Sequence, residues 1–152
     1  MPGLSNQYVE NLGKKICGKH FLGVYPSDIQ PQLNTKIYKF SIIFNTEKHT
    51  QKGSHFIAIF ADKYDFHYFD SYGEDCSNTD IKKFVIKNLK RREYSYNKKC
   101  IQDDKSLFCG FFCLSFILHR NKNISIKKYL ENFSSNLLSN NNKVVKMITD
   151  EI

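Results

Sequence analysis

The sequence predicts an α+β domain in which a central sheet, mixed or antiparallel, is packed between helices. Three observations carry that expectation: a helix-period stripe near the amino end, a block of aromatic and β-branched runs in the middle, and helical periods with one all-round apolar stretch in the last third. With 152 residues, 41% hydrophobic and 14% aromatic, the chain has the size and composition of a single packed domain over 1–152. The same composition argues against a disordered or low-complexity chain.

The elements follow in order. Leu4 and Ser5, followed by Tyr8, Val9 and Leu12, read as a staple residue, an N-cap and an apolar stripe, so a first helix is expected over 5–16, with Gly13 weakening its end. His20 to Asn34 carries Gly23, Pro26 and Pro31 among polar residues and reads as a surface loop. Three strand runs follow: Lys36–Asn45, Ser54–Ala61 and Tyr64–Asp70. Only Asp62 and Lys63 separate the last two, which predicts a hairpin. Asn78 and Asp80 open a helix with Ile81, Phe84, Val85, Ile86 and Leu89 inward and Lys82, Lys83, Lys87 and Lys90 outward. Glu93–Gln102 reads as one more strand, followed by a polar loop from Asp103 to Ser106. Cys109–His119 is apolar nearly all round, as a helix buried in mid-domain should be. Helices over 125–138 and 142–150 complete the chain.

No apolar run approaches the roughly 18–20 residues of a membrane span, and the amino end lacks the apolar stretch of a secretory signal. The expectation is a soluble protein of the cell interior, not secreted and without a membrane partner. Five cysteines at 17, 76, 100, 109 and 113 show no paired CxxC spacing, so neither a disulfide framework nor a zinc ribbon is indicated. The formal charge of +8 favours polyanionic partners, nucleic acid first.

Four residues stand out by type, order and setting: His55, Asp70, Gln102 and Cys109. Cys109 would begin the buried helix, where the dipole and terminal N–H groups favour an anionic, nucleophilic sulfur. His55 near the start of one strand and Asp70 at the end of its hairpin partner should meet at one end of the sheet, where the carboxylate can orient the imidazole. Gln102, seven residues before Cys109, can share an oxyanion pocket with the Cys109 N–H, which Gly110 would keep uncrowded.

The order His, acid, Gln, Cys, set in Phe21-Leu22-Gly23-Val24-Tyr25, Ile43-Phe44-Asn45-Thr46, Gly53-Ser54-His55-Phe56, Tyr68-Phe69-Asp70-Ser71-Tyr72-Gly73 and Cys109-Gly110-Phe111-Phe112-Cys113, resembles the adenovirus maturation proteases, the adenain group. That resemblance, from about residue 5 to 120, implies a cysteine-protease fold related to the proteases of ubiquitin-like proteins. It implies Cys109 as nucleophile, His55 as general base and acid, Asp70 as third member and Gln102 as oxyanion donor. Asp70 stands where the adenoviral enzymes have Glu, and Phe56 where they usually have Trp, keeping an aromatic wall to the cleft. The chain is also shorter after the nucleophile helix.

Further implications are cleavage after glycine in viral capsid and core precursors, without a metal, by a monomer located in the virion and the host-cell interior, nucleus or cytoplasmic assembly site. DNA and a short viral peptide would act as activators, the peptide linked through Cys100. An enzyme removing ubiquitin or a SUMO-like modifier and an inactive DNA-binding module are the alternatives.

The remaining groups have simpler readings. Cys113 falls in the apolar run and belongs to the core, and His20, His49, His67 and His119 read as surface or structural. A zinc site from Cys100, Cys109, Cys113 and His119 fits no common ligand spacing. The clusters Lys82-Lys83, Lys87, Lys90-Arg91-Arg92, Lys98-Lys99 and Lys127-Lys128 are solvated faces or a sequence-independent DNA footprint.

Overall fold

Residues 4–48, 55–104 and 107–152 are described by the computed structural model. His49, the Gly53-Ser54 opening of the second strand run, and Lys105-Ser106 of the polar loop lie outside them. Helix α1 (Asn6–Ile16) starts where its cap predicts: Ser5 Oγ accepts the Tyr8 N–H at 3.1 Å. It runs through Gly13 without ending there.

The segment expected as a loop opens instead as strand β1 (Phe21–Pro26), parallel to β2 (Phe40–Asn45). Its register shifts between Phe21 and Val24, and Gly23, at φ 123°, sits inside that shift. A bulged edge strand ending in Pro has no period-two pattern, which is why local reading misses it. The predicted hairpin forms from β3 (Phe56–Ala61) and β4 (Asp65–Phe69), with Asp62 Oδ1 accepting the N–H groups of Tyr64 at 2.9 Å and Asp65 at 2.8 Å in the turn. Strand β5 (Glu93–Tyr96) is shorter than the run to Gln102 and pairs parallel with β4. The sheet order is β1-β2-β3-β4-β5, with parallel outer pairs and antiparallel inner ones.

Helix α2 (Thr79–Asn88) is capped by Asn78, whose Oδ1 accepts the Ile81 N–H at 3.0 Å. Ile81, Phe84 and Val85 are buried, but Ile86 is 77% exposed. Five residues from Ile81, it lies about 140° round the helix, off the apolar stripe. Asn88 is buried instead, donating to the Phe84 carbonyl. Helix α3 (Cys109–Asn121) buries Phe112, Cys113, Leu114, Phe116 and Ile117 completely. The last two helices break elsewhere than expected, as α4 (Ile126–Leu130) and α5 (Leu137–Thr149). Lys99 Nζ donates to the carbonyls of Leu130 and Phe133 and holds the chain out of helix there, while Asn136 caps α5.

Helices α1, α3, α4 and α5 pack on one face of the sheet around Phe56, Ala58, Phe60 and Phe69, and α2 covers the other around Ile57, Ile59, Phe66 and Tyr68. With both faces covered, β2 and β3 are buried at every position. Arg92, expected on a solvated face, is only 9% exposed. Its guanidinium donates to the carbonyls of Tyr38, Asn88 and Leu89 and lies over the rings of Phe40 and Phe66. Arg92 and Lys99 are therefore ties within the fold.

Candidate active site

The antiparallel β3–β4 hairpin sets the first contact. β3 begins just after His55 and β4 ends just before Asp70, so the pairing returns both residues to one end of the sheet. His55 Nε2 lies 3.0 Å from Asp70 Oδ1, and the His55 carbonyl accepts the Thr46 N–H at 2.9 Å, extending the β2–β3 ladder to the histidine. Asp70 Oδ1 also accepts the Tyr72 N–H at 2.8 Å. The Tyr72 ring stacks on the imidazole, 4.6 Å between centroids and 16° from parallel. Burial opposes a charged ring, but hydrogen bonding to Asp70 and Cys109 and their negative charge outweigh it and raise His55 to about 9. Nδ1, the ring nitrogen not paired with Asp70, is shielded from solvent.

Cys109 is the first residue of α3, at a helix start where Phe108 in the N-cap position supplies no side-chain cap. Its Sγ accepts the Phe56 backbone N–H at 3.4 Å, across 53 residues of sequence. Phe56 therefore touches the site through its main chain. Its ring, expected as a cleft wall, is 2% exposed and belongs to the core. At Gly110 a Cβ would lie 2.8 Å from Val9 Cγ2 and 3.2 Å from Leu4 Cδ1, so the close approach of these side chains itself requires the glycine.

Gln102 is 1% exposed, and its Oε1 accepts the hydroxyl proton of Ser71, the neighbour of Asp70. Asn97 locks the acid from the other side: its Oδ1 accepts the Asp70 N–H at 2.9 Å and its Nδ2 donates to the Asp70 carbonyl at 2.5 Å. Ser71, Tyr72 and Asn97 are thus supporting residues that the sequence alone did not single out for these roles. Adjacency to Asp70 was the available signal for the first two. Asn97 had none, because only the β4–β5 register brings it there.

Cys100 is exposed, with Sγ 3.3 Å from the Gln102 carbonyl. Cys113 lies in the core, and burial pushes its thiol well up. His67 and His119 are structural, bonded to Ser95 Oγ and the Ser115 carbonyl, both at 2.7 Å. Among the described residues no group of three His, Cys, Asp or Glu side chains is placed to hold a metal. The grooves lined by Lys19, His20 and Lys39, of about 270 and 440 Å³, open at the other end of the sheet and include none of the four candidate residues.

No protein-family model matches the chain, and neither does any curated protein. Solved structures do. ASFV pS273R protease aligns with 76% of this chain at 20% identity and a TM-score of 0.58, and a second structure of that protease aligns with 88% at 14% and 0.59. The chain spans 44% and 60% of the protease's length in the two alignments. The central domain of an uncharacterized protein from Legionella pneumophila aligns over 98% of this chain and 99% of its own length, at 9% identity and a TM-score of 0.57. These likenesses do not single out the adenoviral group to which the motifs point. At this level of identity they show architecture alone: the five-stranded mixed sheet between helices is the fold shared with these structures.

Proposed function

We propose that this chain is a cysteine endopeptidase. The observation that supports it most is the convergence of His55, Asp70 and Cys109: an imidazole paired with a buried carboxylate, and a sulfur at a helix start receiving a backbone N–H. In this reading Cys109 Sγ, as thiolate, attacks the scissile carbonyl carbon and the carbonyl electron pair moves onto oxygen. The Gln102 side-chain N–H and the Cys109 backbone N–H receive that oxyanion. On collapse, the carbon–nitrogen bond breaks and His55 gives the departing amine its proton, leaving a thioester. Water then loses a proton to His55 and attacks the thioester, the carbon–sulfur bond breaks, and the carboxylic acid leaves and gives its proton to solvent, restoring the thiolate and imidazolium. Asp70 keeps the ring oriented through Nε2.

The proposed substrates are proteins cut after glycine, with viral capsid and core precursors first; the sequence motifs support this. The purified chain is expected to hydrolyse a Leu-X-Gly-Gly peptide, to be inactivated by iodoacetamide, and to lose turnover by roughly 10⁴-fold or more as Cys109→Ala, with its circular dichroism unchanged. Residual full activity in that variant would remove the assignment. A ubiquitin-like fusion tested beside capsid precursors decides the substrate class.

A further inference from the structure

Helix α2 carries an outer face that its own stability does not require. Ile86 is 77% exposed, and Lys82, Lys83, Lys87 and Lys90 around it are exposed as well. A solvated helix face is ordinarily laced with acid–base pairs at i,i+4 spacing. Here Lys83 and Lys87 form a like-charge i,i+4 pair, which repels. Neither they nor Lys90 make an ion pair among the described residues. Lys82 closes the first turn, near the positive end of the helix dipole, where an acid would be the stabilising choice.

Ile86 also borders a groove of about 300 Å³. Helix α2 contributes Lys82, Val85, Ile86 and Leu89 to its lining, and the segment before α2 together with β5 contributes Asp75, Cys76 and Tyr94. Asp75 Oδ1 accepts the Tyr94 hydroxyl and the Cys76 N–H, both at 2.7 Å, so the acid on that side is tied into the wall. At 100° per residue, Lys90, Lys83 and Lys87 lie about 40–100° further round the helix from Ile86, on the side away from Val85 and Leu89. The face is thus graded across its width: an apolar groove, then Ile86, then a row of cations.

We propose that this face docks an acidic protein segment, one large aliphatic or aromatic side chain of which enters the groove against Ile86 while neighbouring carboxylates meet Lys83, Lys87 and Lys90. Burial of the apolar side chain supplies affinity, and the lysine row sets the orientation. A phosphate backbone would use the lysines but leave Ile86, Leu89 and Tyr94 against a charged strand, so a protein segment is the chemistry that fits the whole face. Asp75 and Cys76 follow closely on the turn in which the Gly73 N–H bonds the Asp70 carbonyl at 2.8 Å, so the groove lies on the chain leading out of the candidate site. A peptidase could hold a substrate protein there, outside the cleft. That consequence rests on the peptidase reading, and the docking itself does not.

The test is equilibrium binding, read by fluorescence anisotropy, of a short labelled peptide of Asp and Glu residues around a central Leu-Phe, free of glycine. Wild type is expected to bind it roughly tenfold or more tighter than the counterpart with Ser-Ser at the centre, with affinity falling as salt rises. Ile86→Ser, which keeps the charge, should weaken binding roughly tenfold and leave Tm where it is, because the side chain is 77% exposed. The double variant Lys83→Ser, Lys87→Ser should weaken it as much, and Lys127→Ser, Lys128→Ser on α4 should bind as wild type does. Backbone amide shifts on adding the peptide should centre on residues 75–76, 82–90 and 94. No binding by wild type, equal affinity in Ile86→Ser, or shifts centred elsewhere would overturn the inference. So would a short DNA duplex that moves the same α2 amides and binds wild type and Ile86→Ser alike, more tightly than the peptide, since the face would then be a phosphate-binding one. If the peptide binds as expected while wild type cleaves no Leu-X-Gly-Gly peptide, the docking site stands and the peptidase reading falls.

Discussion

At the scale of the residue, His55 is held charged against its surroundings. Burial works to strip its proton, and the Asp70 carboxylate, with Cys109, more than restores it, raising the ring to about 9. The imidazolium is then the resting form at neutral pH, and the alkaline limb of kcat/KM should fall near pH 9. Asp70→Asn removes the charge and leaves the amide free to offer the ring its NH2 in place of an acceptor. The limb is expected to move down toward the ordinary histidine value, with kcat/KM lower by roughly 10²-fold or more. A pH profile of the two proteins checks this, and an unmoved limb would separate Asp70 from the chemistry.

At the scale of the element, the junction of α1 with α3 decides where Cys109 sits. Gly110 follows Cys109 directly, and α1 approaches it so closely that a Cβ would meet Val9 Cγ2 at 2.8 Å. Val9 is fully buried and has nowhere to move. Alanine in place of a helical glycine gains about 1 kcal/mol of propensity, but overpacking a closed core costs about 1–3 kcal/mol, so the second effect wins. Gly110→Ala is expected to lose up to about 2 kcal/mol, or a few degrees of Tm, read by thermal melting. It should also lose activity by displacing Cys109. A variant as stable as wild type would show that α1 does not pack here as described.

At the scale of the whole molecule, two histidines tilt stability in opposite directions with pH. His55 is raised above its unfolded value of about 6.5, so its contribution is complete below that pH and is lost as pH rises toward about 9. His67 is pushed down to about 4 by burial and then by the Arg120 guanidinium, with Nε2 unpaired inside the protein. Its contribution is complete above about 6.5 and is lost as pH falls toward about 4. Each shift is worth on the order of 3 kcal/mol. Denaturant unfolding across pH should therefore show a maximum near 6.5 in the histidine contribution. His67→Phe should flatten the acid side and leave the alkaline side, and Asp70→Asn should do the reverse. Parallel curves for all three proteins would contradict both assignments.

The sequence by itself determined whatever depends on local period and on residue type. The Ser5 and Asn78 caps, the β3–β4 hairpin across Asp62, and the all-round apolar α3 were legible because each is a short-range balance between backbone hydrogen bonds and one apolar face. The four candidate residues were picked out on type and order alone, since an imidazole, a carboxylate, a carboxamide and a thiol in that sequence are unusual enough to be noticed. Tertiary structure alone decided the rest. β1 exists because β2 and α1 flank it, not because Phe21–Pro26 has a strand's pattern. Arg92 went inside because four carbonyls and two aromatic rings await it there. Asn97 and Ser71 became supports of the site only when strand pairing and the return of residues 101–102 placed them beside Asp70 and Gln102. A buried polar group takes its partner from wherever the fold brings one, and no local window contains that information.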